Sequence, residues 1–333
     1  MVERKVAVLR ADASDLIGVG HVMRSLALGE ALLEAGFDVV LATVDLPAGM
    51  REEVHKCGIT VVDLQCVPFG SDDAIATLAL NGAVLVIDGY LFERDFFGEL
   101  ENRATNFVVI DDNVETKALA PMVVINQNPH ATIEMYAHLL GKPKLLLGLH
   151  YALLRREVRE ATKLSINPVA GKVFVAMGGS DFLKLTSPIV HGLKDLDIAI
   201  CVAIGPTNSQ RRQIEETVMS IPRARVILQA DYIMELASSS LAILAAGSSL
   251  WEAAALGVPL IGLIVADNQN VASSATHGLG IAVSIDFRAE IKIGELRGEV
   301  KSCLERSSTK LTTQKSLDVD GVVNVASMIR TTS

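Results

Sequence analysis

The chain has 333 residues, half of them hydrophobic and only 4% aromatic, with a formal net charge of −9 at pH 7. That length suits two ordinary domains, each large enough to bury a core of small aliphatic side chains. The acidic balance argues against nucleic acid or an anionic membrane as partner, while leaving room for one amide-lined pocket that takes a nucleotide. The four cysteines, Cys57, Cys66, Cys201 and Cys303, form no CxxC pair and fit free thiols in a reducing cytoplasm. The first residues lack the apolar run of a secretory signal. Residues 241–266 are apolar but carry Glu252, Gly257 and Pro259, so they read as strand, turn and helix in a core and not as a membrane span.

In chain order, residues 5–10 read as a buried strand, followed by a glycine-bearing loop over 11–20 and a helix over 23–35 that ends at Gly36. Strands follow at 37–43, 60–64, 83–88, 107–111 and 122–126, with helices at 51–57, 72–80 and 92–103 between them. The pattern loosens over 127–143, a strand reads at 145–149, and 155–163 is a charged helix. The alternation then restarts, with strands at 172–177, 198–204, 225–228, 241–245 and 260–265. Its helices read at 183–193, 209–219, 232–237, 250–256 and 268–277, with terminal helices at 300–305 and 322–330 and a polar surface loop over 307–314. Strand–helix alternation of this kind predicts α/β architecture with parallel sheets covered on both faces. We divide it into an N-terminal domain over 1–150, a linker over 151–167 and a C-terminal domain over 168–333. In such sheets the ligand crevice lies beyond the carboxyl ends of the strands, where Asp88, Asp111, Asp112 and Asn126 fall.

Four loops carry candidate chemistry. The first runs Arg10-Ala-Asp12-Ala-Ser14-Asp-Leu-Ile17-Gly18-Val-Gly20-His21-Val-Met-Arg24. Gly18 and Gly20 permit a tight turn and close approach of a ligand. His21 stands where the helix begins, and a positive helix end disfavours imidazolium; an uncharged imidazole is what general-base work on water requires. The spacing is not the G-x-G-x-x-G of a dinucleotide loop. The second loop, Gly178-Gly179-Ser180, can face amides and a hydroxyl toward a phosphate or simply form a turn. The third, Gly247-Ser248-Ser249, opens a helix with Glu252 in its first turn. It can hold a diphosphate and ribose hydroxyls, or serve as an ordinary cap. The fourth carries Asn268 and Gln269 at a helix start, to bind sugar hydroxyls or to cap. No histidine has zinc-type spacing, and Asp111-Asp112 reads as a turn feature, so no metal and no cofactor is expected.

Taken together, Arg10-Ala-Asp-Ala-Ser14, Ile17-Gly-Val-Gly-His21-Val-Met-Arg24, Ile87-Asp-Gly-Tyr90, Asp111-Asp112, Val124-Ile-Asn-Gln-Asn128, Tyr151-Ala-Leu-Leu-Arg155, Gly178-Gly-Ser180 and Gly247-Ser-Ser249 resemble the UDP-2,4-diacetamido-2,4,6-trideoxy-β-L-altropyranose hydrolases of pseudaminic acid biosynthesis. The likeness spans roughly residues 5 to 285. It implies a GT-B fold, two Rossmann-like doubly wound domains facing a cleft. It further implies that His21 is the catalytic residue acting on water, that UDP leaves with inversion, and that no metal takes part. The C-terminal domain would hold UDP through Gly178, Gly179, Ser180, Gly247, Ser248, Ser249 and Glu252. By loop position, the sugar side would be met by Asp12, Gly18, Gly20, Asp88 and Tyr90, with Asn268 and Gln269; Asp12 and Asp88 are equally open to a structural role, and Asn126 and Gln127 are further candidates. The expected partner is the UDP-sugar alone, with the protein a monomer or weak dimer. A GT-B glycosyltransferase, with an acceptor in place of water, and a non-catalytic UDP-sugar-binding protein are the competing readings.

Overall fold

The computed structural model describes residues 4–14, 17–103, 105–114, 116–269, 282–306 and 317–332. The chain forms two compact units, Met1–Arg156 with Asp318–Ser333, and Glu157–Leu317.

In the first unit, seven short apolar runs form strands β1 (Val6–Arg10), β2 (Asp38–Thr43), β3 (Thr60–Asp63), β4 (Val84–Asp88), β5 (Phe107–Ile110), β6 (Val123–Asn126) and β7 (Lys144–Leu147). They make one parallel sheet in the order β3-β2-β1-β4-β5-β6-β7. Both faces are buried, and the pleat sorts side chains between them. Ala7 and Leu9 of β1 enter one core, with Val22, Leu26 and Leu32 of α1 (Gly20–Glu34) and Met50 of α2 (Ala48–Lys56). Val8 enters the opposite core, with Ala74 of α3 (Ser71–Leu78) and Phe96, Phe97 and Leu100 of α4 (Arg94–Asn102). Helix α1 stops where Gly36 takes φ 95°, its amide bonding to Leu33 and that of Phe37 to Leu32, an end that glycine tolerates without a Cβ penalty.

The terminal helix Gly321–Thr332 departs from the expected domain boundary. Val322, Val325, Ala326 and Ile329 belong to the core shared with α1, and a Cβ on Gly321 would lie 2.7 Å from the His150 carbonyl oxygen. Periodicity marks a helix but not which sheet it covers, so the segment 318–333 falls with the first unit and not with the second.

The second unit repeats the plan. Strands β8 (Val169–Ala176), β9 (Ala199–Ala203), β10 (Ala224–Val226), β11 (Ser239–Ala245), β12 (Leu260–Ile264) and β13 (Ala282–Asp286) are parallel in the order β10-β9-β8-β11-β12-β13. Helices α5 (Arg156–Thr162), α6 (Thr186–Leu193), α7 (Arg211–Met219), α8 (Tyr232–Ala237), α9 (Ser249–Ala255) and α10 (Ile293–Arg306) accompany them. Edge strand β13, which pairs with β12 from Leu260↔Ala282 onward, was not foreseen: five residues with Ser284 at the centre carry little apolar signal. Helix α6 begins three residues later than its pattern suggests. Asp181 and Lys184 sit at positive φ, and the Asp181 carboxylate accepts the Leu185 and Thr186 amides, fixing the start. Of the helix expected over 268–277, residues 267–269 form a 3₁₀ turn; 270–281 and the polar stretch 307–316 lie outside the described residues. No described helix is long and apolar enough to cross a membrane.

Each sheet reverses its strand order once, between β1 and β4 and between β8 and β11. Ligands of open α/β sheets bind at the carboxyl ends of the strands flanking such a point. The loops after β1 and β8, and the last residues of β4 and β11, are where the sequence placed its candidates.

Candidate functional site

In the first unit the polar side chains at the switch point form one connected cluster. Asp88, the last residue of β4, is fully buried. Its Oδ1 lies 2.7 Å from Nδ1 of His21, on the second residue of α1. Three residues on, one turn further along that helix, Arg24 clamps the same carboxylate, Nε to Oδ2 at 2.7 Å and Nη2 to Oδ1 at 2.6 Å. The i, i+3 spacing is what lets two side chains of one helix meet one acid. Arg24 also pairs through Nη1 with Asp112, just beyond β5, and the Tyr90 hydroxyl donates to the other Asp112 oxygen at 2.8 Å. The Tyr90 ring meets His21 edge-on, with centroids 4.5 Å apart.

These contacts fix the imidazole. Arg24 Nη2 also stands 3.0 Å from Nδ1, but the carboxylate is nearer and can only accept, so we assign the hydrogen to Nδ1, which in the neutral ring leaves the lone pair on Nε2. No partner holds Nε2 among the described residues. Burial works against ionisation of Asp88, yet Arg24 and His21 hold its carboxyl below the ordinary carboxylate range. It therefore stays charged and can steady a proton arriving on the ring.

Of the two roles open to Asp88 and Asp12, sugar contact or structural support, the geometry favours the second. Asp88 is 0% exposed and both its oxygens serve His21 and Arg24, which makes it a positioning residue. Asp12 is 4% exposed. One oxygen accepts from the Thr43 hydroxyl and the amides of Val44 and Asp45, and the other pairs with Arg10 at 2.8 Å. It pins the loop after β1 to the loop after β2. Gly18 takes φ 79° and donates its amide to the Ser14 carbonyl, closing the turn before α1; Asp15 and Leu16 within that loop lie outside the described residues. Among the described residues, a Cβ on Gly18 or Gly20 would meet no atom within 4 Å. Of the weaker candidates, Asn126 bonds the Asn128 amide and the Tyr136 hydroxyl, and Gln127 bonds the Leu153 amide; both are internal supports. Arg24 was quoted in the sequence motifs without a role, and Asp112 was read only as part of a turn. The i, i+3 offset of Arg24 from His21 was the signal available.

In the second unit Gly178 takes φ 80° after β8. The loop after β9 presses on it: a Cβ on Gly205 would lie 2.1 Å from the Gly179 carbonyl oxygen and 2.5 Å from that of Gly178. Gly247 is exposed at the end of β11, and Ser248 precedes α9 without a side-chain capping bond. The ordinary capping role is thus not the one its hydroxyl performs. Glu252 stands half-buried in the first turn of α9. Gln269 turns its carbonyl back to the Val265 amide at 2.9 Å, a capping use, while Asn268 is exposed. No cluster of three metal-ligating side chains occurs among the described residues.

The fold these two sheets build is the GT-B type. It superposes on MurG of Acinetobacter baumannii, a GT-B glycosyltransferase, with a TM-score of 0.66 at 14% identity over 99% of this chain and all of that one. No family model matches the chain. Among curated proteins it is 24% identical over 246 residues to the UDP-2,4-diacetamido-2,4,6-trideoxy-β-L-altropyranose hydrolase of Campylobacter jejuni, covering 72% of this chain and 84% of that one. It is 22% identical over 270 residues to protein MJ1062 of Methanocaldococcus jannaschii; that match takes in 77% of this chain and spans 55% of the relative's length.

Proposed function

We propose that the protein hydrolyses a UDP-linked 2,4-diacetamido-2,4,6-trideoxyhexose at the anomeric C–O bond, with inversion, releasing UDP and the free sugar. The observation that carries this reading is the orientation of His21: Nδ1 given to a buried, arginine-paired carboxylate and Nε2 left as a lone pair. In the reaction, Nε2 takes a proton from water as the water oxygen bonds to the anomeric carbon. The anomeric C–O bond breaks, and its electron pair leaves with the UDP diphosphate. Asp88 steadies the imidazolium that forms, and Arg24 keeps Asp88 ionised and in place. UDP is a good leaving group, so no strong general acid is needed. The glycine and serine loops at 178–180 and 247–249 are the donors we assign to the charge growing on the diphosphate, with Glu252 for the ribose and Tyr90 for the sugar.

The name of the Campylobacter relative agrees with this substrate. The likeness to MurG shows a shared fold and does not choose water over another acceptor. The deciding experiment follows UDP release from a panel of UDP-diacetamido-trideoxyhexoses without any acceptor, with the product anomer read by NMR. We expect release by the wild type, and a fall of about a thousandfold or more in His21→Ala with UDP affinity within twofold of the wild type. No release without an added acceptor rejects hydrolysis in favour of transfer; UDP-sugar binding with no turnover under any condition rejects both.

A further inference from the structure

A second histidine belongs to the same cluster and faces the opposite problem. His130 follows β6 on the short loop opened by Asn128, whose side-chain amide donates to the Asp112 backbone carbonyl at 3.0 Å. The loop is therefore tied to the residue that also receives Arg24 and Tyr90. Asp112 is near enough to act on the His130 ring electrostatically, but its two carboxylate oxygens already accept from Arg24 and Tyr90, and no bond to His130 forms. The half-buried ring seals Nδ1 from solvent with no hydrogen-bond partner among the described residues; Nε2 is not sealed.

That asymmetry selects a tautomer. A buried N–H without an acceptor is rarer and more costly than a buried lone pair without a donor. The ring hydrogen of His130 therefore sits on Nε2, at the open edge. Burial pushes this imidazole below the ordinary histidine range, with Asp112 pulling the other way, so the ring is neutral near pH 7. His21 has the reverse arrangement, because Asp88 holds its hydrogen on Nδ1.

We infer that His130 is a specificity-determining residue of the proposed hydrolase, donating Nε2–H to an acceptor oxygen of the bound sugar while His21 presents a lone pair to water. This rests on the hydrolase reading for its ligand, but not for its tautomer. The cluster thus offers one ring nitrogen as acceptor and another as donor. A donor at His130 suits a hydroxyl or acyl carbonyl oxygen of the glycosyl group, and UDP by itself lacks that oxygen.

Two measurements on the full chain test this separately. Long-range ¹H–¹⁵N spectra of histidine-labelled protein at pH 7, assigned by the signal lost in His130→Gln, should show His130 as the Nε2–H form and His21 as the Nδ1–H form. A protonated or Nδ1–H His130 overturns the inference. With the panel member that the wild type hydrolyses fastest, His130→Leu should raise KM about tenfold while changing kcat and UDP inhibition by less than threefold. His130→Gln, which keeps a donor, should recover most of that KM. An unchanged KM in His130→Leu, or equal losses in both variants, also overturns it. A wild type that hydrolyses no panel member sinks the hydrolase reading and with it the ligand assigned to His130, while the spectrum still decides the tautomer.

Discussion

Two arginine–aspartate networks lie next to each other at the switch point of the first sheet, on paired strands β1 and β4, and they differ in where they end. In one, Arg10 is fully buried. It grips Asp73 of α3 through Nε at 2.8 Å and Nη2 at 2.6 Å, pairs with Asp12, and lies 5.2 Å from the Phe92 ring centroid. Asp73 passes its remaining capacity to the Phe69 amide and the Thr77 hydroxyl, and the two atoms left without a hydrogen-bond partner among the described residues, Nη1 of Arg10 and Oδ2 of Asp12, are sealed from solvent. In the other, Arg24 grips Asp88 with the same geometry, but the chain of contacts continues to an imidazole whose far nitrogen has no partner among the described residues. Identical residue types therefore do two jobs. A sealed ion pair holds two loops and a helix together, and an unsealed one aims a base. A buried charge pair alone says nothing of function; an unpaired end that solvent can reach, as at His21, does.

Replacing Asp88 with Asn should test this most sharply. The amide keeps the shape but can donate to the ring, which favours the wrong tautomer of His21. Turnover should fall by about 10³–10⁴, with UDP binding retained, as followed by UDP release and by titration calorimetry. Retained turnover would show that the two networks are both structural. Next in size is Asp73→Ala, which removes the two-point grip on the buried Arg10 and leaves it only the ion pair with Asp12. Stability should drop by about 3–5 kcal/mol in urea unfolding, while any protein that remains folded keeps the wild-type kcat. A kcat loss exceeding the loss of folded protein would merge the two networks into one.

The sequence made the fold legible because buried parallel strands write themselves as apolar runs closed by glycine loops, and both sheets repeat that grammar. It did not show the partner of the terminal helix 321–332, since an apolar stripe fits either sheet, nor the five-residue edge strand β13. Within the proposed site, His21 was singled out from its place at a loop–helix junction. Asp88 was singled out too, as a sugar ligand or a structural acid with nothing to choose between them, because a strand-end acid looks alike whether it is exposed or sealed. Arg24 was in view without a role, and His130 was missed because the segment 127–143 has no period against which an isolated residue stands out. Burial and hydrogen-bond geometry, which separate these cases, are three-dimensional properties.

The smallest effect concerns acid. Burial opposes ionisation of both Asp12 and Asp88, yet both carboxyls are held below the ordinary carboxylate range, Asp12 by Arg10 and the Val44 and Asp45 amides, Asp88 by Arg24 and His21. A carboxyl with a lower value folded than unfolded stabilises the protein above its unfolded value. That contribution is lost as pH falls toward the folded one, because the unfolded chain takes up the proton first. Both networks thus weaken in the same direction below about pH 4, whatever their function. Urea midpoints measured from pH 6 down to pH 3 should fall for the wild type. Asp12→Asn should flatten that fall by less than one proton's worth of slope and leave turnover of the folded protein at neutral pH within a fewfold of the wild type. An Asp12→Asn protein with an unchanged acid slope would mean that Arg10 is neutralised by Asp73 alone. The sealed network would then be a simple pair, and the contrast with the branched cluster around Arg24 would be one of connectivity as well as of access.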